Sequence, residues 1–218
     1  MEPNRENWSV VIIGSWNTKI FNPRWIGEKL FAQPDLQVQV LIPVIPGFPT
    51  VLGVGNIEIV PSEDSLTFRA KSRPDDSVVQ EMEDKAVAAL SALEHTPVRA
   101  IGANFEFLEK YPPECLAKLF DFDDQDQLLA KDLKPTQRQV SRAFDMERGV
   151  LNLTLTMSAD GLKIQLNFHL ALDYPLHLEN SGQAIEFIKG RMVGYKTMAL
   201  SILNDVYDLK WEEEEVAA

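Results

Sequence analysis

The sequence predicts an α+β fold: a broad antiparallel sheet built from two β-α-β-β-β-α repeats and backed on one face by two long helices. Three observations predict it. Ile13-Gly14 is followed by Pro23-Arg-Trp-Ile-Gly-Glu-Lys-Leu-Phe31, and Ile101-Gly102 is followed at nearly the same distance by Pro113-Glu-Cys-Leu-Ala-Lys-Leu-Phe120. The shared order of Ile-Gly, proline and Lys-Leu-Phe suggests an internal duplication, with residues 1–96 and 97–218 as halves of one core. Alternating apolar and polar residues recur in short runs, and two long stretches carry an apolar stripe at helical spacing.

In chain order, Val10 to Gly14 is a β-branched run and reads as the first strand. Asn22 offers a cap and Pro23 opens a short helix to Phe31. Leu36, Val38, Val40 and Ile42 alternate with Gln37 and Gln39, the pattern of a half-buried strand. Pro43 to Gly55 reads as a long loop rich in proline, glycine and apolar residues. Strands follow around Ile57 and Ile59 and around Leu66, Phe68 and Ala70, with a turn at Pro61, Ser62 and Asp64. Pro74-Asp75-Asp76 then caps a helix whose stripe is Val79, Met82, Ala86, Ala89 and Leu93.

The second half repeats this order. Val98 to Phe107 is a strand, Pro113 to Phe120 a short helix, and the acidic stretch Asp121 to Asp132 a further helix. Three strands follow, Gln137–Glu147, Val150–Ser158 and Leu162–Leu172, joined by turns at Arg148-Gly149 and Asp160-Gly161. One long helix opened by Asn180 and Ser181 closes the chain, its stripe running from Ile185 through Met192, Tyr195, Ala199 and Ile202 to Leu209. That stripe either covers the sheet or pairs with a second copy.

The element order resembles the two-repeat fold of the TATA-binding protein, although the acidic charge departs from a DNA binder. Arg99-Ala-Ile-Gly-Ala-Asn-Phe-Glu-Phe107, followed by a late meander and a final helix, resembles a sporadically distributed family of uncharacterised bacterial proteins. Ala103 and Asn104 stand where that family has its second basic position, and the resemblance implies no activity or site.

Composition narrows the function classes. The 218 residues are 45% hydrophobic with a net charge of −12 and a pI near 4.7. That charge repels nucleic-acid phosphates and anionic membrane surfaces, so neither partner is expected. No apolar run approaches the roughly 20 residues that cross a bilayer. A single cysteine, Cys115, permits no internal disulfide, and a reducing cytoplasm is the expected location.

The final meander identifies a face. Leu151, Leu153, Leu155 and Met157 point one way, with Asn152, Thr154, Thr156 and Ser158 opposite; Leu162, Ile164, Leu166, Phe168 and Leu170 point one way, with Lys163, Gln165, Asn167 and His169 opposite. Gln37, Gln39, Gln139 and Ser141 continue the polar set on other strands. It is mostly neutral, and depletion of charge marks interface cores. It reads either as an ordinary wet sheet face or as a contact surface for a protein partner or a second copy; a small molecule is not excluded. The expected binding residues are Gln139, Asn152, Thr154, Gln165, Asn167 and His169, together with Phe48 in the proline-rich loop. Val44, Phe48 and Leu52 of that loop are otherwise expected to fold back into the core.

Catalytic, metal and cofactor sites are not expected. Gly53-Val-Gly55 lacks the rest of a phosphate loop. His169, Asp173 and His177 stand four residues apart, but on a strand broken by Pro175 they make a poor metal trio. The Asp121–Asp132 stretch lacks the glycine and terminal glutamate of a calcium loop, and the single Cys115 has only distant histidines, which makes no nucleophile–base constellation. The leading expectation is therefore a non-catalytic interaction module. The alternatives are an enzyme or ligand-binding protein with a pocket where the halves meet, using His169 and Asp173, and an acidic immunity or defence component.

Overall fold

The computed structural model describes residues 1–45, 47–172 and 180–211. Its centre is a ten-stranded antiparallel sheet: β1 (Glu2–Pro3), β2 (Ser9–Gly14), β3 (Gln39–Leu41), β4 (Val51–Val54), β5 (Ile57–Pro61), β6 (Ser65–Ala70), β7 (Val98–Glu109), β8 (Gln137–Asp145), β9 (Val150–Ser158) and β10 (Gly161–Ala171). The spatial order is β3-β4-β5-β6-β2-β7-β10-β9-β8, with β1 paired to the end of β7. β2 and β7 therefore lie side by side at the centre, and each continues outward into the hairpin strands of its own part of the chain.

The helices are α1 (Pro23–Trp25), α2 (Asp76–Ala92), α3 (Gln125–Leu129), α4 (Asn180–Ile188) and α5 (Met192–Tyr207). α1 is capped by the Asn22 side chain and passes directly into a π-helical turn, Ile26–Leu30. α2 packs on β6, β2 and β5, α4 and α5 pack on β7, and α2 touches both α4 and α5. The start of α2 is fixed by Asp75, whose carboxylate accepts from the Ser77 hydroxyl at 2.7 Å and the Val78 N–H at 2.9 Å. Those two bonds, the hydroxyl's first, hold the Asp75 carboxyl below the usual carboxylate range.

Strand alternation explains the core. Val10 and Ile12, Leu66 and Phe68, Phe105 and Phe107, Leu153 and Leu155, and Ile164, Leu166 and Phe168 are buried beneath the helices as one continuous apolar cluster. Trp8 stands at its middle, edge-on to Phe105 and Phe107 and 5.7 Å from the ring of Trp211.

Several elements differ from the sequence reading. The expected strand from Leu36 to Ile42 shrinks to Gln39–Leu41 and is exposed, because it forms the sheet's outer edge. Val51–Val54, expected as loop, pairs with β5 and with β3. Glu114–Phe120 is a 3-10 helix, and helix in the acidic stretch is confined to α3. The long final helix is two helices, since Gly190 takes a positive φ of 70° between α4 and α5. Both lay apolar side chains on the same core, so the stripe reads through the break. Asp173, Pro175, His177 and the Glu212–Glu215 tail lie outside the described residues.

Candidate functional site: an amide row on the open sheet face

The face away from the helices carries a polar row at right angles to the strands. Register places Ser9 on β2, Asn104 on β7, Asn167 on β10 and Asn152 on β9 directly side by side. Asn152 Nδ2 donates to Asn167 Oδ1 at 3.1 Å, Asn167 Nδ2 to Asn104 Oδ1 at 2.7 Å, and Asn104 Nδ2 to Ser9 Oγ at 3.2 Å. All three bonds run in one direction, so each polarises the next. A carboxamide has two N–H groups and two acceptor lone pairs on its oxygen. The chain of bonds uses less than half of that capacity, and the three amides are half-buried.

A second row runs beside it: Glu106 on β7, Gln165 on β10, Thr154 on β9 and Ser141 on β8. Glu106 is 3% exposed. Its carboxylate accepts from Gln165 Nε2 at 2.6 Å, from Asn7 Nδ2 at 2.9 Å, and from Asn4 Nδ2. Three neutral amides thus solvate a nearly buried acid, which satisfies its lone pairs as burial requires. Ser141 and Thr154 hydroxyls meet at 3.1 Å, and Gln139 Nε2 donates to Ser141 Oγ at 3.2 Å. Toward β6 the first row continues into the Arg69–Glu58 ion pair, with Nε and Oε2 2.8 Å apart.

A depression of about 500 Å³ takes in both rows and extends across the face from β9 and β10 over β7 and β2 to β6. Asn152, Thr154, Gln165 and Asn167 line it, joined by Asn104 and Glu106, which the sequence reading did not select. The remaining expected residues are elsewhere. His169 is one strand-face position beyond Asn167, opposite Gly102, and does not line the depression. Gln139 is exposed on the edge strand β8. Phe48 is far along the chain's own loop, 65% exposed, beside a separate depression formed with Lys19, Phe21 and Pro61.

The proline-rich loop corrects one expectation. Leu52 is buried as part of β4, but Val44 is 98% exposed and Phe48 is not in the core. Val44 stands beyond the end of β3, where no helix covers the chain. Among the described residues, no three His, Cys, Asp or Glu side chains are gathered closely enough to hold one metal ion. No helix among them is long and apolar enough to cross a membrane. Cys115 is exposed.

Signals for the missed residues exist in part. Asn104 and Glu106 alternate with Phe105 and Phe107, which is a period-two pattern. Asn4 and Asn7 sit in a polar N-terminal stretch with no period, and their role emerges from the pairing of β1 with β7. Compared with protein-family models, the chain matches none, and no curated protein matches its sequence.

Proposed function

We propose that this protein is a non-catalytic binding module, and that the open face of its sheet holds an uncharged polar surface of a protein partner. The observation that carries this reading is the half-spent amide row Asn152–Asn167–Asn104–Ser9. Carboxamides do not titrate near neutral pH, so such a row recognises hydrogen-bonding groups rather than moving protons. A preset row also loses little rotamer freedom on binding, which favours affinity.

Replacing Asn152, Gln165 and Asn167 together by lysine puts three like charges on the face. Native pull-down followed by intact-complex mass measurement should then show the partner lost, with the circular-dichroism spectrum kept. A complex that survives the triple substitution rules the face out.

A second reading is favoured by the depression itself. Its volume of about 500 Å³ falls within the range of small-molecule sites, and the carboxamides of Asn104, Asn152 and Asn167 line it. A lone chain carrying a small bound mass in the same measurement supports that reading over a protein partner.

We also infer that the fold is two copies of one β-α-β-β-β-α unit, 1–96 and 97–218, each backed by its long helical segment. What supports this is the mirrored strand order, β4-β5-β6-β2 against β8-β9-β10-β7. The resemblances to the two-repeat TATA-binding-protein fold and to the sporadically distributed bacterial family belong to the same proposal. On this reading the depression lies across the join of the copies.

A further inference from the structure

The two ends of the sheet differ. β3 is three residues long and is soon followed by Pro43, which blunts the edge. β8 is nine residues long, has no proline, and pairs with β9 alone among the described strands. An edge of that length presents a row of unpaired backbone donors and acceptors, a template for another strand.

On the helix side, the far end of β8 borders an apolar groove of about 660 Å³. Phe144, Leu151 and Leu153 form its sheet wall, and Met198, Ile202 and Val206 of α5 form the other. Phe144 is 43% exposed and Val206 65%, so the groove lies open. Arg142, Arg148 and Arg191 stand around it, together with Asp145 and Glu147. Arg148 is already paired with Glu186, Nη1 and Oε2 2.9 Å apart, whereas Arg142 and Arg191 make no ion pair among the described residues, so the rim offers two cations to an incoming acid.

The chain also carries a matching segment. Residues 121–133 hold Asp121, Asp123, Asp124 and Asp126 on an exposed stretch that includes α3. The same stretch leaves Phe122, Leu128, Leu129 and Leu133 between 37% and 56% exposed in the monomer. It is tethered to the start of β8 at both ends: the Phe120 carbonyl accepts from Arg138 Nη1 at 3.4 Å, and Gln137 begins the strand. No residue of 121–133 lines the groove. Arg138 and Phe144 are about 20 Å apart along the strand at its usual rise.

We propose that two copies of this chain pair β8 to β8 in antiparallel fashion, and that residues 121–133 of each copy fill the arginine-rimmed groove of the other. A two-fold axis normal to the sheet keeps both helix-bearing faces on the same side. It also sets the start of one β8 beside the end of the other, which is where the segment and the groove are found. Centring the pairing on Ser141 places Arg142 opposite the partner's Val140 and Arg138 opposite the partner's Phe144. Centring it on Val140 would oppose Arg138 and Arg142, two like charges. The interface is isologous, so it closes and leaves the edge covered. It uses the sheet edge and the helix side, and stands independently of the open face.

Sedimentation velocity of the full chain tests this. The expected species has twice the 24.6 kDa chain mass and dissociates as salt is raised. Leu128→Lys with Leu129→Lys should halve the mass while the far-UV spectrum is unchanged, because neither side chain is buried in the monomer. Asp124→Arg with Asp126→Arg, and separately Arg142→Glu with Arg148→Glu, should each give monomers. Mixed in equal parts, these two variants should recover the dimer, since both reversed and both native contacts then attract. A monomeric wild type, a dimer that all three variants retain, or a monomer whose native mass includes a bound acyl molecule each overturns the proposal.

Discussion

Gly102 shows how tightly the amide row is set. It lies on the open face of β7, opposite His169, and a Cβ built there would approach Asn167 Nδ2 to 2.9 Å. Its backbone is ordinary extended strand, so alanine fits the chain and conflicts only with the amide. Gly102→Ala should therefore push Asn167 away from Asn104 and break the row at its middle. The lost hydrogen bond costs about 1 kcal/mol, and replacing a strand glycine returns about as much, so the urea midpoint should barely move. Binding at the face should fall instead; equal binding by the variant would show that the row's geometry is not what the partner reads. Asn152, Thr154, Gln165 and Asn167 were legible in the sequence because each alternates with Leu, Ile or Phe over a whole strand. Asn104 and Glu106 were obscured by Ile101, Gly102 and Ala103, which are all buried and interrupt the alternation just upstream. Ser9 was hidden at the head of an unbroken apolar run. His169 shares the parity of Asn167, yet alternation says nothing about where along a strand the depression ends.

Between elements, the decisive contact is one that periodicity cannot show. Glu83 of α2 is 2% exposed, and its carboxylate accepts from the N–H groups of Gly190, Arg191 and Met192 at 2.6, 3.1 and 2.9 Å. Gln80 Nε2 donates to it as well, at 3.0 Å. The start of α5 is thus capped by a side chain from a helix more than a hundred residues earlier, and the positive φ of Gly190 turns the chain into that cap. Glu83→Ala leaves three buried or half-buried donors without an acceptor and should cost about 3 kcal/mol or more. Glu83→Gln keeps one acceptor oxygen and should lose roughly half as much. Urea unfolding of both variants checks the order; two unchanged midpoints would mean that α5 begins without help from α2. The same tertiary override explains β4 and β3. Proline and glycine made 43–55 read as loop, but pairing to the β5 edge recruits Val51–Val54 and leaves the earlier alternation at Leu36 and Val38 unpaired.

Across the molecule, the parts on either side of position 96 share their interior. β2, already paired to β6, gains its second partner only from β7, Trp8 packs on Phe105, Phe107 and Trp211, and Glu83 holds the start of α5. The strands β5 and β6 and the meander β8-β9-β10 were readable from the sequence because turns and alternation are local, whereas the central β2–β7 pairing joins residues about ninety apart and leaves no local mark. That pairing has a thermodynamic consequence. Separating the two parts would expose one edge of β2 and one of β7 along with the rings around Trp8, so neither part has a cheap partly folded state to occupy. Unfolding in urea should therefore be a single transition, with tryptophan fluorescence and far-UV circular dichroism coinciding. Residues 1–96 made alone should lack the native signal of Trp8, because the rings that surround it come from the other part. Two separated transitions, or an independently folded 1–96 fragment, would instead show that the central pairing joins two stable domains, and the open-face depression would then be a hinge that opens as they move apart.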